Sequence, residues 1–280
     1  MNEVDFYFED LKSKFAKIDF DNYYLAYSGG KDSHFLYWFI KEFLHDDKIQ
    51  IVAVNTYMEF PEISARMKKY ADVVLIPNLK PHEVIAKYGT PCFSKQQDEY
   101  ISRYQKGSRS KNTMNAVLGN NVKFNLNNTA RNLLLSNLLP EISNKCCLYL
   151  KKKPAYEFDK RTKLKAILGV MGSESQTRES QYKSCFTKKG VFTPLWDLTE
   201  DLMNKIYNQY DIELPSIYQF VNQTGCAGCP YGIGKNNTEI ELQLMTPAKR
   251  RYVEKLFGPA YEIRGLNYRQ TSIFDLEAKK

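Results

Sequence analysis

Six consecutive residues, Ser28-Gly29-Gly30-Lys31-Asp32-Ser33, have the types and spacing to hold a phosphate. Adjacent glycines let the main chain take positive φ and approach a ligand with no Cβ between. Ser28 and Ser33 supply hydroxyls, and Lys31 supplies positive charge. An apolar helical pattern follows from Phe35, and the N–H groups and dipole at a helix start favour an anion. The Gly-x-x-x-x-Gly-Lys-Ser/Thr spacing of a Walker A loop is absent, so this is a different phosphate cradle. Lys31 and Asp32 are the candidate catalytic pair. The lysine offsets charge in a transition state, and the aspartate helps to hold Mg2+. The plainer alternative is a strand–turn–helix corner with Asp32 or Ser33 as N-cap.

A second segment, Asn55-Thr56-Tyr57-Met58-Glu59-Phe60-Pro61-Glu62, follows another apolar run. Ligands of open parallel sheets lie beyond the carboxyl ends of the strands, which places this segment beside the glycine loop. Thr56 is a candidate for a phosphate or ribose. Glu59 is a candidate for an amino group or, with Asp32, for magnesium. A helix start with Pro61 at its first position explains the same residues without a ligand.

Four of the six cysteines fall in two pairs, Cys146-Cys147 and Cys226-x-x-Cys229. Four thiolates can hold a [4Fe-4S] cluster or complete a tetrahedral zinc site. Adjacent side chains diverge, which suits the separated iron corners of a cluster better than one Zn2+. A reduced set of small buried side chains is the metal-free alternative. Cys92 and Cys185 read as core residues. His34, His45 and His82 are scattered and suggest no ligand set.

These residues need a scaffold, and the pattern of the chain supplies one. Helical spacing spans 3–18. Strands are expected at 23–27, 49–54, 73–76 and 165–170, with helices at about 31–44 and at 61–70. Residues 120–128 read as a loop. Thr199 caps a helix to 210, residues 215–230 form a loop, and a last helix starts at Thr246-Pro247 and is ended by Gly258. Strands alternating with helices imply an α/β fold, a parallel twisted sheet with helices on both faces, Rossmann-like. The division expected is a nucleotide-binding domain, 1–190, and a helical and loop C-terminal region, 191–280, that carries Cys226 and Cys229 and packs on the same domain.

Hydrophobic residues make up 43% of the 280, which excludes a disordered chain. The acidic start is unlike a signal peptide, and the longest apolar run is too short to span a bilayer. The expectation is a soluble, cytoplasmic protein with no membrane partner. The net charge is +8, with basic clusters at 103–111 and 151–165, which suits a polyanionic partner; a solvated charged face explains either cluster without one.

Taken jointly, the motifs resemble the phosphoadenosine phosphosulfate (PAPS) reductase family of the adenine-nucleotide α-hydrolase (PP-loop) superfamily, most closely its iron–sulfur branch. That branch includes adenylyl-sulfate reductases and the sulfurtransferases of DNA phosphorothioation. The match runs in order from the Ser28–Ser33 loop through Asn55-Thr56 and Pro61-Glu62 to Cys146-Cys147 with Lys153-Pro154. It continues with Gly169 to Arg178, then Pro194-Leu195-Trp196, and ends at Thr224 to Pro230. The resemblance implies an adenine nucleotide held by Ser28, Gly29, Gly30, Lys31, Asp32, Ser33, Thr56, Glu59, Gly169 and Arg178. It also implies a cluster on Cys146, Cys147, Cys226 and Cys229. Departures bear on the reaction. Asn55 and Tyr57 stand where the family has an acid and a glycine, and Met171 stands where it has an arginine. No cysteine follows Cys229, whereas the reductases attack sulfate with a cysteine in a C-terminal tail.

The reading is therefore an ATP pyrophosphatase or adenylating sulfurtransferase with an iron–sulfur cluster, using ATP or a related adenine nucleotide and Mg2+. The alternatives are a sulfonucleotide reductase with an atypical thiol, and a non-catalytic nucleotide- or nucleic-acid-binding regulator. A nucleic acid, a sulfur carrier and a second copy of the chain stay open as partners.

Overall fold

The computed structural model describes residues 2–174, 182–234 and 238–268. In chain order it opens with α1 (Glu3–Phe15), β1 (Tyr23–Tyr27), α2 (Lys31–Glu42), β2 (Gln50–Val54), α3 (Pro61–Tyr70) and β3 (Val73–Leu75). A helical stretch follows: α4 (Pro81–Tyr88), α5 (Lys95–Gln105), α6 (Lys111–Leu118), α7 (Asn128–Leu135), α8 (Lys145–Cys147) and α9 (Lys153–Thr162). Then come β4 (Lys165–Leu168), α10 (Glu200–Gln209), α11 (Thr238–Leu244) and α12 (Pro247–Ile263). Contacts divide the chain into two compact units. The first is Met1–Asn55, Pro61–Ile76 and Pro154–Ile217, and the second is Thr56–Phe60, Pro77–Lys153 and Tyr218–Lys280. The boundary expected at residue 190 falls inside the last segment of the first unit.

The first unit is an α/β layer structure. Its four strands pair in parallel in the order β3-β2-β1-β4. Side chains alternate across a strand, so each strand feeds two faces. On one face Tyr24, Val52 and Ala166 pack with Phe158 of α9. On the other, Tyr27 meets His34 and Tyr37 of α2 and Tyr70 of α3. Both faces are covered, as a parallel sheet requires. Phe192 extends the edge beyond β4: its N–H donates to Ala166 O (3.0 Å), and its carbonyl accepts from Leu168 N–H (2.9 Å). Helix α1 is capped by Asn2 and Asp5, which accept each other's main-chain N–H groups at 2.9 Å. It then buries Phe8 among Phe35, Phe39, Phe43 and Tyr210. Truncating such a ring to Ala costs about 3–5 kcal/mol, so Phe8 fastens α1 to α2 and α10.

The second unit is helical. Cys92, Ile101, Val117, Ala130, Ile142 and Ala260 form its main core, with a smaller cluster of Val84, Cys146 and Leu150. One expectation is corrected here. Helix α12 does not end at Gly258 but runs on to Ile263, past Pro259. Phe257, Ala260 and Tyr261 are buried, and their packing outweighs the weak helix propensities of glycine and proline. The start at Thr246, the Thr199 cap of α10 and the 119–127 connection agree with the sequence pattern, while β4 stops two residues short of 170. Among the described residues no helix is long and apolar enough to cross a membrane.

Candidate functional site

The glycine loop leaves the carboxyl end of β1. Strand order reverses direction there, because β1 has β2 on one side and β4 on the other. That is the switch point at which open α/β sheets bind ligands. Gly29 has φ +73°, and a Cβ on it would lie 2.9 Å from Ile63 O. Only glycine fits. Gly30, rather than Asp32 or Ser33, is the N-cap of α2 and brings no capping side chain. The two serines brace the loop. Ser33 Oγ accepts Ser28 N–H (3.1 Å), lies 3.0 Å from Ser28 Oγ and donates to Gly30 O (3.1 Å). Ser33 is buried and Ser28 is exposed.

Gly169 follows β4 and packs against the start of α2. A Cβ there would sit 2.9 Å from Asp32 C and Ser33 N. The close approach explains a glycine at this position in physical terms. Lys31 lies in the same loop, nearly buried, with Nζ 2.5 Å from Glu200 Oε1. Tyr207 OH donates to Lys31 O (2.6 Å). Glu200 and Tyr207 both come from α10, and no spacing in the sequence pointed to them. His34, one turn into α2, shares a 3.0 Å hydrogen bond with Tyr27 OH. Burial lowers its pKa to about 3, with Arg66 and Lys69 adding to the effect, so this imidazole is neutral. Arg178, the expected clamp, lies outside the described residues.

Thr56 and Glu59 belong to the second unit and close on each other. Glu59 accepts Thr56 N–H (3.1 Å) and Thr56 OH (2.6 Å). Thr56 is fully buried, and its hydroxyl lies 3.7 Å from Cys226 Sγ. Tyr57 between them has φ +66°, the left-handed conformation that glycine takes freely and a bulky residue takes under strain. Lys249 Nζ donates to Tyr57 O (2.9 Å) and faces Glu59 and Cys226.

The Cys226–Cys229 turn rests on this segment and on α11 and α12. Ala227 N–H donates to Met58 O (2.7 Å), and Gly228 N–H donates to Glu241 (2.7 Å). Tyr261 OH donates to Gly228 O, and Thr238 OH donates to Cys229 O (2.8 Å). Glu241 and Tyr261 were likewise missed by spacing alone. Cys146 and Cys147 lie in α8, and a π turn follows, with Lys153 N–H bonding Leu148 O. Pro154 accounts for that turn, since it lacks an N–H and crowds the carbonyl four residues before it.

The four thiols influence one another. Cys146 is raised by its hydrogen bond to Cys147 and then by burial, with the charges of Cys226, Cys147 and Cys229 adding. Burial likewise raises Cys226 and Cys229. Cys147 is held below the ordinary thiol range by the Cys146 hydrogen bond, with Lys95, Lys151 and Lys152 reinforcing it against burial. The arrangement is four sulfur donors with a rim of lysines. A single zinc ion needs its sulfurs about 2.3 Å from one point. Among the described residues no three Cys, His, Asp or Glu stand close enough to hold one ion. Four sulfur donors are the donor type that an iron–sulfur cluster or a zinc ion takes.

Cys92 is not part of this group. It is fully buried, and burial, with Asp98 nearby, pushes its thiol up to about 12. Asp98 accepts Cys92 N–H (2.7 Å), Phe93 N–H (3.0 Å) and Tyr231 OH (2.8 Å), so this corner is structural. Cys185 is half-buried in the first unit.

No protein-family model matches the chain. No curated protein matches it. Among solved structures, a similar one is the crystal structure of phosphoadenylyl-sulfate (PAPS) reductase from Candida auris in its phosphate complex. The identity is 13%, the alignment covers 79% of this chain and 86% of that one, and the TM-score is 0.43.

Proposed function

We propose that the chain is a nucleotide-binding enzyme of the PP-loop type on which an acceptor attacks the α-phosphorus of ATP or a related adenylate, so that the acceptor takes the adenylyl group and pyrophosphate leaves. The observation that carries this reading is the loop after β1. It combines a Gly29 that admits no Cβ, two braced serines and the start of α2, at the switch point of a parallel sheet. Ser28, Gly29, Gly30 and Ser33 cradle phosphate, Gly169 keeps the approach narrow, and Lys31 offsets charge on the phosphoryl oxygens. Asp32 would help to hold Mg2+, which would supply further charge neutralisation. Arg178, Thr56 and Glu59 belong to the proposal as nucleotide contacts. Cys146, Cys147, Cys226 and Cys229 would hold an iron–sulfur cluster, which supplies redox capacity or a structural anchor. A sulfur nucleophile then bonds to the acceptor and displaces the adenylyl group as AMP.

The test is incubation with labelled ATP and Mg2+ against candidate acceptors, following pyrophosphate. Release that disappears in Lys31→Ala supports the reading. ATP binding without release in the presence of every acceptor class supports the regulator instead. A second reading has one observation in its favour, the position of Cys147 beside Lys95, Lys151 and Lys152, whose charges favour a nucleophilic sulfur. It is a sulfonucleotide reductase whose nucleophile is not in a C-terminal tail. Cys92 is too basic and too buried for that role. Thioredoxin-dependent sulfite release from adenylyl sulfate is expected to be absent, and turnover lost only in Cys147→Ser would put this second reading first.

A further inference from the structure

The positive charge of this protein is concentrated in one stretch. Residues Lys95 to Lys153 contain eleven Lys or Arg and three Asp or Glu, a surplus of eight, which equals that of the whole chain. The rest of the sequence is balanced. Lys106, Arg109, Lys111 and Lys123, all exposed, lie between the end of α5 and the loop after α6. Two concavities open on this segment. One, of about 400 Å³, is lined by Tyr104, Lys106, Arg109, Asn137 and Glu141. The other, of about 490 Å³, is lined by Lys111, Asn112, Asn120, Asn121, Val122 and Lys123.

The groups between the cations are flat rings and amides. The Arg109 guanidinium lies 4.0 Å from the centroid of the Tyr104 ring. Its Nη1 donates to Tyr104 O (2.8 Å) and Ser108 O (3.0 Å), so the plane is fixed in advance. A second stack runs from Arg103 over Tyr100 to Phe124, the two rings 5.4 Å apart at 14°. Asn112 donates to Tyr100 OH (3.1 Å) and accepts from Asn121 (2.9 Å), which holds amide groups at the mouth of the second concavity. Val122 is fully exposed at its rim. The acids nearby are Glu99, paired with Arg103, and Glu141, 3.7 Å from Lys106. Spaced cations, pre-set planar stacks and side-chain amides are the parts that hold an unpaired strand: phosphates on the lysines, bases on the planes, base edges on the amides. The rings pack on the core and the amides bond one another, so what a strand adds over an acidic protein partner is stacking on the exposed Arg109 plane. We propose that this face, from Tyr104 to Lys123, binds single-stranded nucleic acid. The inference stands apart from the nucleotide reading, because it uses none of the same residues.

The experiment is fluorescence anisotropy with a labelled mixed-sequence strand, as DNA and as RNA, across salt from about 50 to 200 mM. A duplex of the same sequence and poly-glutamate serve as competitors. Substituting Lys106, Arg109, Lys111 and Lys123 by Gln should weaken binding at least about ten-fold and reduce the salt slope by about 2.8, about 0.7 for each single-strand phosphate contact. Lys111→Gln with Lys123→Gln, which touches no internal hydrogen bond given above, should remove about half of that slope. Arg109→Lys keeps the charge but loses the plane, so affinity should fall about five-fold with the slope unchanged. The control Lys188→Gln with Lys189→Gln should change nothing. A quadruple variant that binds like the control overturns the proposal. So does a duplex or poly-glutamate that binds as tightly as the strand. A Lys31→Ala variant should bind the strand normally, which separates this outcome from that of the ATP assay. Tighter binding of the RNA than of the DNA arm would assign the strand as RNA.

Discussion

The glycine loop and the cysteine group are built on opposite principles. Residues 28–33 take their shape from their own backbone: a positive φ at Gly29, a serine brace five residues long and a helix that starts at once. The cysteine group has almost no shape of its own. Cys146-Cys147 and Cys226–Cys229 are far apart in sequence, and Met58, Glu241, Tyr261 and Thr238 hold the second pair in place. A site made by local geometry tolerates change at a distance but not within itself. A site made by convergence fails when any of several remote supports is removed.

The largest effect is expected inside the loop. Gly29→Val places a branched side chain against Ile63 O and forces a β-branched residue to positive φ. The backbone term alone is on the order of 1–3 kcal/mol, before the clash is counted. ATP affinity should fall below detection by titration calorimetry, while far-UV circular dichroism keeps the helical content of the second unit. Retained ATP binding would sink the cradle reading.

The convergent region should respond to its supports. With iron and sulfide supplied anaerobically, the proposed cluster gives a brown protein with about four irons per chain. Cys226→Ser should bleach it. Tyr261→Phe leaves all four sulfurs in place but removes the hydroxyl that holds Gly228 O. It should lower iron retention during dialysis, which a merely local site would not do. Full colour in both variants would remove these residues from the site.

Legibility followed the same contrast. The loop, the cap at Thr199, and the parallel strands could be read because each depends on neighbours within a few residues. The end of α12 was misread because Gly258 and Pro259 signal a stop locally, whereas Phe257, Ala260 and Tyr261 keep the helix going by burial. Glu200 at Lys31 and Glu241 at Gly228 carry no sequence signal, since each lies on an ordinary amphipathic helix and acquires its role from packing. The hydrogen bond from the Thr56 hydroxyl to Glu59 has no sequence signal either, because the positive φ of Tyr57 between them brings the two side chains together.

Acid and base should affect the two regions in opposite senses. Burial lowers His34, beside the loop, from 6.5 to about 3. A lowered pKa means that its contribution is present above pH 6.5 and is lost as pH falls toward about 3. Burial raises Glu241, beneath the cysteine turn, from 4.5 to about 7. Its contribution is full below pH 4.5 and is lost as pH rises through about 7. By the size of these shifts each is worth at most roughly 3–5 kcal/mol. Denaturant unfolding between pH 4 and 8, about the span of the two shifts, should show the acid-side loss disappear in His34→Gln and the base-side loss disappear in Glu241→Gln. An unchanged profile in either variant would show that its group does not titrate with folding.

The smallest effect on stability, and the most informative about the loop, is expected at Glu200. Its carboxylate sits 2.5 Å from Lys31 Nζ and is about half exposed. An ion pair with one exposed partner contributes about 1 kcal/mol or less, so Glu200→Gln should leave unfolding nearly unchanged. The consequence for binding is larger. If Lys31 serves a phosphoryl oxygen, it exchanges Glu200 for the ligand, and the carboxylate competes with the nucleotide for one ammonium. Removing the charge should then tighten ATP binding by a few-fold, about the factor that 1 kcal/mol represents, with a weaker dependence on salt. If Glu200 instead positions Lys31 for the ligand, the same variant binds ATP more weakly while Glu200→Asp partly restores it. Calorimetric titration of the three proteins at two salt concentrations separates the cases. Identical affinity in all of them would place Lys31 outside the nucleotide site and leave the cradle to its backbone and serines alone.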